Sequence, residues 1–197
     1  MSTRKSSVDR KADILGATLN LAFEVGPDYV TTGLVANRLG LTQPAIYKHF
    51  PKKQDIWLAA AQLLCSRIGE NTRKGTRTHI KPVENMRRLV LSHLRLIMDI
   101  PALPEIMVTR DPTGNLTEPR RQIQMAMVGF RAALTQSLKQ AIKEGHLRKG
   151  LHALDAVTLF FGIIQSLVLR LIITRDPSCL IKDGERLFDL QMTLFEN

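Results

Sequence analysis

The stretch Thr31–Trp57, TTGLVANRLGLTQPAIYKHFPKKQDIW, constrains the fold more than any other part of the chain. It spells two short helices joined by a tight turn, with a third helix following at once. Thr32 is suited to cap the first, whose inward side is Val35, Ala36 and Leu39. Gly40 falls just past its end, where a left-handed residue is wanted. Leu41 fills the turn and Thr42 can cap the next helix. Pro44 sits in that helix's first turn, where a missing N–H costs little. Ile46 and Phe50, four apart, face inward, and Pro51 stops the helix. Gln43, Ala45, Tyr47, Lys48 and His49 are left pointing out. A short helix with a polar, aromatic and basic outer face, braced by a compact partner, is what entry into a DNA major groove requires.

Helical signals continue on both sides. Ser6 or Ser7 can cap a first helix with Leu15, Thr18, Leu19, Ala22 and Phe23 inward, ended by Gly26-Pro27. A helix from Gln54 to about Ile68 carries Trp57, Leu58, Ala61, Leu64 and Cys65 on its apolar side. Gly69–Lys81 is polar and basic and reads as a loop or frayed helix end. Val83–Asp99 is helical, and Pro101 and Pro104 break it before a short helix over Glu105–Arg110. Arg120–Glu144, Leu151–Arg175 and Leu180–Glu196 complete the chain. No segment alternates with period two over strand length. The expectation is an all-α chain of about nine helices, with an N-terminal helix-turn-helix domain over residues 1–53 and a helical domain over 54–197.

The order and spacing of the motif resemble the TetR family of bacterial transcriptional regulators. That family shows two threonines, a small apolar helix, Gly-apolar-Ser/Thr, Tyr-x-His-Phe and a Lys two or three residues on. Here these are Thr31, Thr32, Val35, Ala36, Gly40, Leu41, Thr42, Tyr47, His49, Phe50 and Lys53. The detailed likeness covers about residues 8–60. The resemblance implies a homodimeric regulator, usually a repressor, that binds double-stranded operator DNA and answers to a small ligand. For the matched positions it implies base reading by Gln43 and Lys48, apolar contact to a thymine methyl from Pro44 and Ala45, and phosphate contacts from Thr32, Thr42, Tyr47 and Lys53. Tyr47 can equally pack against the first helix, and Lys48 can be a solvated charge. The start of the helix at Lys52-Lys53-Gln54-Asp55 can hold a phosphate or simply be exposed. Arg4, Lys5, Arg10 and Lys11 can form a basic arm or a tail without specific contacts.

A net charge of +10 favours a polyanionic partner and keeps a non-specific nucleic-acid-binding protein as the alternative. The excess is not confined to the motif: Arg67, Arg73, Lys74, Arg77, Lys81, Arg87 and Arg88 follow it. Cys65 and Cys179 make no disulfide framework and no metal spacing, and a reducing cytoplasm is the simpler expectation. No cofactor or metal is expected. No nucleophile elbow, phosphate loop or HExxH motif is present, and the five histidines are scattered, so enzyme readings have no support. Ala156–Ile173 is apolar enough to be mistaken for a membrane span, but Gln165 and Arg170 interrupt it. A core or subunit-interface helix is expected there.

The dimer is expected through the last two helices, with Leu154, Phe161, Ile164, Val168, Leu171, Leu187, Leu190 and Leu194 at the seam. The effector is expected to be small and apolar or amphipathic, in a cavity beside the Pro101/Pro104 break. Its expected walls are Trp57, Met86, Leu89, Val90, His93, Met107, Met125, Phe130 and Phe161, with Arg110, His93 and Gln165 as polar partners and an acidic ligand group meeting Arg110 or His93. Most of the methionines can equally be ordinary core filling.

Overall fold

The computed structural model describes residues 6–76 and 80–196. Among them are nine helices and no strand: α1 (Ser7–Val25), α2 (Thr32–Leu39), α3 (Gln43–Tyr47), α4 (Lys53–Gly75), α5 (Pro82–Asp99), α6 (Ala102–Val108), α7 (Thr117–Lys143), α8 (Ala153–Thr174) and α9 (Leu180–Phe195). The basic residues before Ser6, and Arg77, lie outside the described residues. Helix α4 runs two turns past its expected end at Ile68, so Arg73 and Lys74 are helical.

The chain divides into two compact units, and the division is not the expected 1–53 and 54–197. One unit is 1–65 with 100–123; the other is 66–99 with 124–197. The difference has a local cause. Helix α6 packs on α1, and Ala102, Leu103, Pro104 and Ile106 are all buried. Arg120, at the start of α7, holds the end of α6 by donating to the carbonyls of Ile106 (2.6 Å from Nε) and Thr109. Helix α5 ends at Asp99, ahead of Pro101 as expected, but α6 then starts over the prolines and not after them. Pro101 is the N-cap of α6 and Pro104 lies in its first turn, where the backbone N–H groups have no helical partner to lose.

In the first unit α1 is capped by Ser6, whose hydroxyl accepts from the Asp9 N–H at 3.1 Å. Its buried face is Ile14, Ala17, Thr18, Leu19, Leu21 and Ala22: Thr18, Leu19 and Ala22 are buried as expected, while Leu15 and Phe23 are only half-buried. Arg38 of α2 pairs with both carboxylate oxygens of Glu24 on α1, at 2.9 and 2.6 Å. Trp57 and Ile56 of α4 lie in the core of this unit.

In the second unit α5, α8 and α9 pack on one another. Gly184 of α9 faces Leu94 of α5 so closely that a Cβ there would force the Leu94 side chain to move. Arg87 of α5 pairs with Asp189 of α9 and lies over the Phe188 ring, 5.0 Å from its centroid. Helix α8 is long and apolar enough to cross a membrane by length and composition alone. Here Ala156, Val157, Phe160, Ile164, Leu167 and Leu171 are buried in the protein, while Leu154, Leu159, Leu169 and Ile173 are exposed. This corrects the expected dimer seam. Ile164 and Leu171 belong to the protomer's own core, and Phe161, Val168 and Leu187 are half-buried; Leu154, Leu190 and Leu194 are exposed as expected.

Candidate nucleic-acid interface and ligand core

Each end of the α2–turn–α3 element is fixed by local chemistry. The cap of α2 is Thr31, not Thr32: the Thr31 hydroxyl accepts from the Leu34 N–H at 3.1 Å. Both threonines fit the sequence pattern, and only the backbone, extended at Thr31, distinguishes them. Gly40 takes φ 63°, ψ 33°, the left-handed conformation that ends α2, and the Leu41 N–H closes back on the Ala36 carbonyl at 2.9 Å. Thr42 occupies the N-cap position of α3 but makes no side-chain bond to the helix backbone. Ile46 and Phe50 are buried, anchoring α3 on both sides of its single turn.

The outward face follows from that anchoring. Thr42, Gln43, Pro44, Tyr47 and Lys48 are exposed, while Ala45, His49 and Lys53 are half-buried. Thr32 is buried, at 5% exposure. Its hydroxyl lies 2.7 Å from the Gln43 amide nitrogen and 3.2 Å from the Tyr47 hydroxyl. His49 Nδ1 stands 3.4 Å from the Ser7 hydroxyl at the start of α1. The basic residues of α1 do not form a loose arm: Arg10 pairs with Asp13 and Lys11 lies over the Phe50 ring. At the start of α4, Asp55 already accepts the Lys52 backbone N–H at 2.8 Å. Partial burial pushes the Lys53 ammonium below its ordinary pKa, while Asp111 and Asp28 pull it back up. A phosphate oxygen beside Lys53 would favour its charged form further.

In the second unit the structure gathers three of the expected ligand residues. The His93 ring lies against Phe130, with centroids 4.9 Å apart, and Phe161 meets Phe130 edge-on at 5.8 Å. The Arg131 guanidinium lies over Phe161; nothing in the sequence marks it. Met86, Leu89 and Val90 are buried in the same unit, whereas Met125 and Gln165 are exposed. Trp57, Met107 and Arg110 belong to the first unit, where Trp57 is buried, Met107 half-buried and Arg110 exposed. Burial holds the His93 imidazole far below its usual range, at about 4. It is therefore neutral near pH 7 and offers no positive charge to an acidic ligand. A cavity of about 460 Å³ also opens in this unit among Thr76, Pro82, Asn85, Gln136, Ser137 and Gln140. None of the expected ligand residues lines it.

Residues 14–60, which span α1 to the start of α4, match the family model described as bacterial regulatory proteins, tetR family. The chain belongs to the TetR family. Over 192 residues it is 26% identical to the HTH-type transcriptional regulator TtgR of Pseudomonas putida, covering 95% of this chain and 91% of the relative. The fold extends the likeness through the second unit. The ketosteroid transcriptional regulator KstR2 of Mycobacterium tuberculosis superposes with a TM-score of 0.78 at 16% identity, covering 99% of this chain and 97% of that one. The transcriptional regulator FadR from Bacillus subtilis, in complex with stearoyl-CoA, superposes with a TM-score of 0.71 at 19% identity, over 92% and 97%. The chain is thus a TetR-family DNA-binding transcriptional regulator. Among its described residues no group of three or more His, Cys, Asp or Glu side chains is placed to hold a metal ion.

Proposed function

We propose that this TetR-family regulator is a ligand-released repressor that acts in the cytoplasm as a homodimer on a palindromic operator. The observation that carries the reading is the face of α3: Gln43, Pro44, Tyr47 and Lys48 exposed on a helix whose other side is locked by Ile46 and Phe50. Gln43 and Lys48 read base edges, with Pro44 and Ala45 against a thymine methyl. Thr42, Tyr47 and Lys53 hold phosphates, and His49 lies at the edge of this surface. One turn of helix supplies too few base contacts for useful specificity, so two reading heads work on half-sites about 34–36 Å apart. The exposed apolar side chains Leu154, Leu159, Leu169 and Ile173 on α8, with Leu190 and Leu194 on α9, supply the surface that a second copy covers.

The effector is small and apolar or amphipathic, as the stearoyl-CoA held by the B. subtilis FadR illustrates for that protein. Its apolar part meets the aromatic group of His93, Phe130 and Phe161, with Met86, Leu89 and Val90 behind. Neutral His93 serves as a hydrogen-bonding partner and not as a counter-charge. A ligand that releases the operator must favour a spacing of the heads that no longer fits the DNA; equal affinity for both spacings changes nothing.

The test is selection from a randomised duplex library at one fixed salt concentration, followed by competition with random DNA. A palindromic winner bound at least about a thousandfold more tightly than random duplex supports the reading. Equal affinity for all sequences would make the chain a non-specific nucleic-acid-binding protein. With the selected duplex, Lys53→Ala should weaken all sequences alike and make the log–log salt dependence shallower by about one unit.

A further inference from the structure

Thr32 is buried yet sits between two residues of the outer face of α3. Gln43 and Tyr47 are four apart and so neighbours on that face. The Thr32 hydroxyl reaches both, at 2.7 Å to the Gln43 amide nitrogen and 3.2 Å to the Tyr47 hydroxyl. The three groups form a chain from a base-reading side chain to a phosphate-binding one.

The direction of the hydrogen bonds in that chain is not free once DNA is bound. A phosphate oxygen only accepts, so Tyr47 must donate its single proton outward. Its oxygen is then left to accept, and the Thr32 O–H donates to it. The Thr32 oxygen is in turn left to accept, and it takes an N–H of Gln43. The Gln43 amide is thereby held by its nitrogen, leaving its carbonyl oxygen and second N–H for the groove. That pair of groups matches the N6 donor and N7 acceptor of adenine. Without the phosphate the chain can run backwards: Tyr47 donates to Thr32, Thr32 donates to the Gln43 carbonyl, and the amide presents N–H donors alone. Donors alone suit the O6 and N7 acceptors of guanine.

We propose that Thr32 is a positioning residue which couples the phosphate contact of Tyr47 to the base preference of Gln43, so that backbone engagement selects adenine at the position Gln43 faces. The proposal rests on the DNA-reading function above. It replaces the phosphate role expected for Thr32, whose hydroxyl is buried and already shared between two partners. The arrangement makes specificity conditional on docking: a head not seated on the backbone has no fixed preference at that base.

The experiment is the same duplex selection, run in parallel on the wild type and on Gln43→Ala, Thr32→Val, Thr32→Ser and Tyr47→Phe, each checked for helicity and melting. Gln43→Ala identifies the position that Gln43 reads. There the wild type should prefer adenine by roughly five- to a hundredfold, the range of one bidentate contact. Thr32→Val, which keeps the shape and loses the hydroxyl, should reduce that preference to about twofold while leaving other positions intact. Thr32→Ser should restore it. Tyr47→Phe should weaken every duplex and also admit guanine at that one position; it tests the chain from its other end should Thr32→Val fail to fold. Even losses at all positions in Thr32→Val, an unchanged adenine preference in Tyr47→Phe, or no rescue by serine would each overturn the coupling. A wild type that selects no sequence, or a Gln43→Ala that changes no position, would instead overturn the DNA-reading assignment beneath it.

Discussion

Helices α3 and α8 teach opposite lessons about apolar residues. Helix α3 is one turn long, with Ile46 its single buried residue. Its remainder, Gln43, Pro44, Ala45 and Tyr47, with Lys48 at its C-cap, has only one way to face. Helix α8 is 22 residues long and apolar on nearly every side. Steps of three and four can be drawn along it for more than one face, and each looks like a seam. The face through Phe161, Ile164, Val168 and Leu171 is largely spent within the protomer; the stripe Leu159, Leu169 and Ile173 is left outside. Pattern identifies a face where polarity contrasts, and fails where everything is apolar.

The largest test of that contrast is Leu171→Asp. With Leu171 at 1% exposure, an aspartate there is an unpaired charge in the core, costing several kcal/mol. The second unit should lose its cooperative melt, seen by circular dichroism. If the variant melts like the wild type and merely dissociates, Leu171 is an interface residue after all. The paired substitution Leu169→Asp with Ile173→Asp should do the reverse. The fold stays intact while self-association weakens by at least about a hundredfold, measured by sedimentation at micromolar concentration. A stable dimer of that double variant would move the interface to another surface.

A third test probes the interior of the second unit by pH. Folding lowers the His93 pKa from 6.5 to about 4. Between those values the unfolded chain binds a proton that the folded chain refuses. Stability contributed by neutral His93 is thus complete above about pH 6.5 and is lost as the pH falls toward 4, by up to about 3 kcal/mol. His93→Leu should flatten that part of the stability profile measured by denaturant titration. An equal acid loss in both proteins would assign it to other groups.

The smallest test returns to the reading head. Thr31→Ala should cost about 1 kcal/mol, the value of one N-cap, by lowering the melting temperature of the protein. Thr32→Val should cost less, because Thr32 does not cap α2. The reverse order would restore the capping role to Thr32.

Legibility in the sequence follows the same physics. The motif is legible because each of its devices is local: a glycine that must be left-handed, a proline in a first turn, two apolar residues four apart. Thr31 and Thr32 are easily exchanged because their order in the chain carries no φ or ψ. Pro101 does follow the end of a helix, but Pro104 looks like a second breaker only because the sequence cannot say that it falls in a first turn, where N–H groups lack partners. At the start of α4 the sequence shows the basic pair, and only the structure shows that Asp55 accepts the Lys52 N–H while Lys53 is half-buried.

What the sequence by itself determined is the helical class, the helix-turn-helix and its outward side chains, because these depend on neighbours within about four residues. Only the tertiary structure decided the rest. It put α6 on α1 in the first unit, brought His93, Phe130 and Phe161 together from three helices, chose the buried face of α8 and set Thr32 between Gln43 and Tyr47. Each of these pairs residues far apart in the chain. Their meeting is fixed by how apolar surfaces fill a common interior, and no local periodicity encodes that choice.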